Sequence, residues 1–111
     1  MERKITHQDV VNKLKSELEL LLPTNSLGFG LKQEFIREKL RFDLVIVKNH
    51  HIVYIIEVKN WKKDYHKRSR CENSKQMQKY RKFGLKNKIP VILCGGMWDI
   101  ERVKTQIINP F

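Results

Sequence analysis

Cysteines, acids and long apolar runs are all scarce in this chain, and each shortage closes off a class of protein. There are only two cysteines, Cys71 and Cys94, with no spacing that suits a metal site. That leaves no disulfide scaffold and points to free thiols in a reducing compartment. No apolar run approaches the ~18 residues that a membrane span requires, and the opening MERKITHQDV holds no apolar signal core. An intracellular location is therefore expected, the cytoplasm or, for a viral chain, a host's cytoplasm, with no membrane partner. Neither an internal repeat nor a low-complexity segment is visible. Acids are outnumbered, 12 Asp and Glu against 23 Lys and Arg, which leaves a formal net charge of +11. A surplus that large on a small chain calls for a polyanionic partner, most often nucleic acid.

What is present is enough for a folded α/β unit. Charged residues make up 32% and the apolar set 41% of 111 residues, a globular balance and a length for one domain, 1–111, with a small core. A helix is expected over Thr6–Leu22, capped by Thr6 with Asp9 three residues on, its apolar stripe Val10, Val11, Leu14, Leu18, Leu21 and Leu22. Pro23 to Gly30 is a turn-rich connection. Leu31–Glu38 predicts a first strand, with Glu34 and Ile36 on one face and Leu31 and Phe35 on the other, and Glu38-Lys39 turning into a second strand at Arg41. Ser74 caps a helix running to about Phe83, with Gly84 as its stop. Ile89–Leu93 predicts a buried strand that docks parallel to the strand ending at Lys59 by a right-handed crossover. Trp98–Ile108 closes with a helix whose inward residues are Ile100, Val103 and Ile107. The order is αβββαβα, a mixed four-stranded sheet flanked by helices.

The chemistry concentrates in RFDLVIVKNHHIVYIIEVK, Arg41 to Lys59. Two apolar strands, joined by a polar turn, carry Asp43 near the start of the first and Glu57 and Lys59 at the end of the second. Residues two apart in a strand share a face, so Glu57 and Lys59 point the same way. Placing Val47 opposite Val53 sets Val45 against Ile55 and Asp43 against Glu57, with Asn49, His50 and His51 as the loop. A one-residue slip would put the two acids on opposite faces, so the chemistry demands an odd-length loop or a bulge. Phe42, Leu44, Ile46, Ile52, Tyr54, Ile56 and Val58 fill the alternate face. Both faces are apolar, so the sheet should be covered on both sides. Two carboxylates and an ammonium at the rim of a buried hairpin suit a metal-dependent phosphodiesterase.

Directly after this cluster, WKKDYHKRSR carries Lys62, Lys63, Lys67, Arg68 and Arg70 against one acid, Asp64, with Trp61 and Tyr65 interleaved. That mixture suits phosphates and exposed bases. The four histidines, His7, His50, His51 and His66, also allow a metal-independent ribonuclease.

The residues resemble the PD-(D/E)XK nuclease superfamily: Asp43, then Glu57-Val58-Lys59 after a hairpin, then Gln76-Met77-Gln78-Lys79-Tyr80 on the following helix. The likeness is strongest to the small restriction-enzyme N-terminal and RecB-like nuclease domains, and it spans about residues 6–108. The proline that opens the family's motif is missing; Phe42 precedes Asp43. The resemblance implies a restriction-endonuclease-like core and an endonuclease that cuts DNA to 5′-phosphate and 3′-hydroxyl ends. Asp43 and Glu57 would ligate Mg²⁺, with Mn²⁺ substituting and the Val58 carbonyl assisting. Lys59 would orient or activate the attacking water, and Gln76 and Tyr80 would help place Lys59 and the substrate. Some relatives add an acid from the first helix or strand, for which Glu34 comes first here, then Glu17, then Asp9. The competing expectation is a non-catalytic nucleic-acid-binding module or subunit on the same fold. A homodimer fits, because duplex cutting takes two sites or two visits.

Binding to nucleic acid should weaken steeply with salt, because neutralised phosphates release counterions. Replacing Lys62, Lys63, Lys67, Arg68 and Arg70 together by neutral residues should flatten the slope of log affinity against log salt; an unchanged slope would remove this segment from the contact.

Overall fold

The computed structural model describes residues 4–21, 29–62 and 74–108. Helix α1 (His7–Leu21) is followed by three strands, β1 (Phe29–Arg37), β2 (Leu40–Lys48) and β3 (His51–Val58). Helix α2 (Lys75–Asn87), strand β4 (Val91–Cys94), a 3₁₀ turn (Met97–Asp99) and helix α3 (Ile100–Ile108) complete the chain. The four strands form one sheet in the order β1-β2-β3-β4. The first two pairings are antiparallel and β3–β4 is parallel, so the expected mixed α/β sheet and its parallel docking are both present. The segments 22–28 and 63–73, with the expected connection and most of the basic segment, lie outside the described residues.

The sheet divides two cores. Val10, Val11, Leu14 and Leu18 of α1 and Ile100, Val103 and Ile107 of α3 pack with Leu44, Ile46, Ile56 and Val58 on one face. Met77, Tyr80 and Phe83 of α2 pack with Phe42, Val45, Val47, Ile55 and Leu93 on the other. Strand β3 is covered on both sides, and every residue from Tyr54 to Val58 is buried. Among the described residues no helix is long and apolar enough to cross a membrane.

The hairpin keeps the two acids level by the bulge rather than by the odd loop. Asn49 and His50 form a two-residue turn, both with positive φ (51° and 71°), the left-handed pair that matches strand twist. Lys48 pairs with His51 and Val47 with Ile52; the register then shifts, and Ile46 pairs with Tyr54, Val45 with Ile55 and Leu44 with Ile56. Val53 is the extra residue, so it does not oppose Val47. A bulge turns the side chains beyond it to the other face, which is why Ile52 lies on the α2 side and not with Tyr54.

A second break in alternation crosses β1 and β2 side by side. Gln33 pairs with Leu44 and Phe35 with Phe42, while Glu34, with φ 50°, and Asp43 opposite it drop out of the ladder. Across this step Leu31 packs on the α1 side and Phe35 on the α2 side; Leu44 and Phe42 split in the same way. Leu31 and Phe35 therefore do not share a face, and Phe42 leaves the face of Leu44. In β1 the change falls at the left-handed backbone of Glu34, which the residue type does not announce.

Helix α2 does not stop at Gly84. Ser74 caps it, accepting from the Met77 N–H, and it runs on to Asn87, ending at Lys88 in the left-handed conformation with φ 59°. Gly84 is there for space: a Cβ would lie 2.4 Å from the Ile89 carbonyl oxygen and 2.9 Å from Val91 Cγ2. Gly84→Ala should therefore destabilise by about 1–3 kcal/mol despite alanine's better helix propensity. Lys88→Gly should stabilise by about 0.5–1 kcal/mol by relieving the left-handed cap. Urea denaturation of the two variants should move in opposite directions.

Candidate functional site

The site forms where β2 begins and β3 ends. Asp43 sits at the break in β2, and its Oδ2 accepts from the Val58 N–H at 2.9 Å. The carboxylate thus takes over the cross-strand bond that a ladder residue would have made. The antiparallel register, continued one step beyond Leu44–Ile56, brings Asp43 level with Glu57.

Glu57 is 4% exposed, and its Oε2 has no hydrogen-bond partner among the described residues. Lys59 Nζ lies 3.5 Å from the other carboxylate oxygen, Oε1. Burial, reinforced by the neighbouring Asp43 carboxyl and only partly offset by Lys59, pushes the Glu57 pKa up to about 8. A buried polar atom without a partner is costly, so this one marks a place where a cation or a proton belongs.

From α2, Gln76 Nε2 donates to the Tyr80 hydroxyl (3.0 Å), and that hydroxyl donates to the Arg41 carbonyl (2.7 Å). Burial, then the Glu57 charge, raises the Tyr80 pKa, which puts the phenol within the field of the acid pair. Phe42 meets the Tyr80 ring edge-on, centroids 5.2 Å apart. Tyr80, steadied by Gln76, therefore grips the backbone two residues before Asp43.

His7, the first residue of α1, was not singled out for this site by the sequence. Its Nε2 donates to the Val58 carbonyl at 2.9 Å and lies 3.4 Å from Asp43 Oδ2. Reciprocal bonds between Thr6 and Asp9, 2.9 and 3.1 Å, fix the helix start that delivers it. The only local sign is its place just after a capping threonine; its contact with Val58 is set by how α1 docks.

The other candidate acids are engaged elsewhere. Glu34 is exposed and pairs with Arg41 at 2.7 Å. Glu17 pairs with Lys13 and with Lys104 of α3, and Lys104 holds its pKa below the ordinary value. Asp9 serves the cap. His50 and His51 lie at the far end of the hairpin. Lys62 is exposed; Lys63, Tyr65, His66, Lys67, Arg68 and Arg70 lie outside the described residues.

Among the described residues, no three His, Cys, Asp or Glu side chains converge as a ready-made metal cage. Two carboxylates and a carbonyl still fit Mg²⁺, a hard cation that keeps several waters and is commonly held by one or two carboxylates plus substrate phosphate. The unpartnered Glu57 oxygen is the donor such an ion would complete.

The model of one protein family, the nuclease-related domain or NERD, matches residues 7–93, a stretch that takes in His7, Asp43, Glu57, Lys59, Gln76 and Tyr80. No curated protein and no solved structure matches the chain.

Glu57 also sets a pH dependence for the metal-free protein. Its folded pKa, about 8, lies above its ordinary value of 4.5. The stability it contributes is therefore present below about pH 4.5 and is lost as pH rises through about 8. With chelator present, Glu57→Gln should lose this decline and exceed the parent in stability above pH 8, by an amount on the order of a few kcal/mol. Parallel stability-against-pH curves for the two proteins would remove the buried acid as the cause.

Proposed function

Because the chain belongs to the nuclease-related domain family, whose domains are PD-(D/E)XK-like nuclease domains, we propose that it is a metal-dependent endonuclease hydrolysing DNA phosphodiester bonds. The observation that carries this reading is the buried, unpartnered Glu57 oxygen beside Asp43. Asp43, Glu57 and the Val58 carbonyl would hold Mg²⁺, with Mn²⁺ able to replace it and His7 beside them. When bound, the ion polarises phosphoryl oxygens and lowers the pKa of a water. Lys59, kept near Glu57, would orient the attacking water against the phosphorus, as a base or as a fixed cation. Tyr80 and Gln76 position the Asp43 strand through the Arg41 carbonyl. The basic surplus draws in the polyanion, and duplex cutting, which takes two sites or two visits, favours a homodimer.

Supercoiled plasmid and labelled oligonucleotides should be cut with Mg²⁺ or Mn²⁺ and not with chelator. Glu57→Ala and Lys59→Ala should each reduce the rate by about 10²-fold or more. Cutting that survives both substitutions would sink the site. Binding with no cutting under any metal would make the chain a non-catalytic nucleic-acid-binding module or subunit.

A further inference from the structure

A groove adjoins the site where the chain runs on from β3. Its walls include Lys4, Asn60, Trp61, Lys62, Met97 and Trp98, and its volume is about 490 Å³, within the range of small-ligand clefts. The β3 backbone keeps pairing past its last strand residue: the Lys59 N–H donates to the Cys94 carbonyl (2.8 Å) and the Trp61 N–H to the Gly95 carbonyl (2.9 Å). Trp61 is thus held two residues from Lys59, about 6–7 Å along an extended strand.

The floor is built around Trp98. Its Nε1–H donates to the Trp61 carbonyl at 2.9 Å. Its ring lies against Gly95 and Gly96, where a Cβ would come within 2.8 Å of Cζ2 and 3.0 Å of Nε1 respectively. Buried Asp99 accepts from the Gly95 N–H and from Arg102, which fixes that turn from below. Asn60 Nδ2 donates to the Ile5 carbonyl at 2.7 Å and ties down the opposite wall. Trp61 packs its part-buried side chain against the α2-side core, Trp98 is part-exposed, and Lys4 and Lys62 stand exposed at the rim.

We infer that this groove takes an unpaired base of the bound nucleic-acid strand, stacked on the part-exposed Trp98 indole, with its flanking phosphates against Lys4 and Lys62. Base–indole stacking tolerates any sequence because every base has a π-face, and the lysines match the polyanion that the net charge of +11 attracts. A base held there belongs to a nucleotide beside the one whose phosphate meets Lys59. A duplex cannot supply it without opening, so the groove favours DNA with unpaired nucleotides beside the cut: a single strand, a frayed end, a flap or a locally opened stretch of a supercoiled plasmid. The inference rests on the nuclease reading for its placement beside the scissile phosphate, but the binding can be measured without cutting.

The full chain, in chelator, is titrated with an oligothymidylate of about eight nucleotides, the same length carrying abasic sites, a blunt duplex and thymidine monophosphate, following tryptophan fluorescence. The oligothymidylate should quench the fluorescence and bind at least tenfold more tightly than the duplex, and the abasic strand should lose that advantage. Trp98→Leu should weaken single-strand binding by about ten- to a hundredfold and leave duplex binding unchanged. Should that variant not fold, Lys4→Ala with Lys62→Ala, both at exposed positions, should lower the single-strand salt slope by about 1.4. Equal affinity for strand and duplex, an abasic strand that binds as well as the intact one, or a folded Trp98→Leu protein without effect would overturn the groove. Thymidine monophosphate binding as tightly as the oligomer would overturn the strand assignment. Quenching by a Glu57→Ala protein that cuts nothing supports the groove whatever becomes of the nuclease, whereas a parent that cuts without quenching or strand preference keeps the nuclease and removes the groove.

Discussion

Two carboxyl groups held together inside a poorly solvated sheet are the constraint on which the rest of this structure turns. Glu57 sits on a strand walled in on both faces, and Asp43 reaches across to the next residue's backbone. Two negative charges so placed repel, and burial sharpens the repulsion. The arrangement is tolerable with a shared proton, with a nearby ammonium, or with a cation. Lys59 supplies part of that answer. The fold therefore holds a destabilising pair where a purely structural sheet would have put two aliphatic residues, and such concentrations of unfavourable charge are typical of working sites.

The surrounding architecture holds that pair in register. The Val53 bulge and the two-residue turn together keep Asp43 and Glu57 level. Opposite the left-handed step at Glu34, β2 presents Phe42 to α2 while Leu44 faces α1, leaving Asp43 between the two cores. Tyr80 then fastens the start of β2 to α2, and α1 brings His7 to the Val58 carbonyl. Four elements thus converge on one end of the sheet although only β2 and β3 carry the acids.

Much of this was legible in the sequence, and the reasons are local. Alternating apolar residues identify β2 and β3, the helical stripe of Val10, Leu14 and Leu18 identifies α1, and Ser74 marks the start of α2. The need to bring Asp43 beside Glu57 correctly required an odd loop or a bulge, but could not choose between them, because Asn49-His50 and Asn49-His50-His51 are equally polar. Gly84 looks like a helix stop because glycine usually is one there; its actual reason, the approach of Ile89 and Val91, exists only after packing. His7, named only with the other histidines for a ribonuclease, is not tied to this site by the sequence, since nothing in its spacing connects it to a residue 51 positions away. Trp98 looked like the first residue of a helix, whereas the 3₁₀ turn before α3 lays it over two glycines.

The left-handed residue in β1 has a consequence for the molecule in a crowded solution. β1 is an outer strand of the sheet, and a straight outer strand offers unpaired amides on which a neighbouring chain can add itself and start a fibril. The step at Glu34 interrupts that line of amides in mid-strand, and the charges of Lys32 and Arg37 stand on either side of it. The backbone irregularity opposite Asp43 therefore makes this outer strand, among the described residues, a poor template for aggregation.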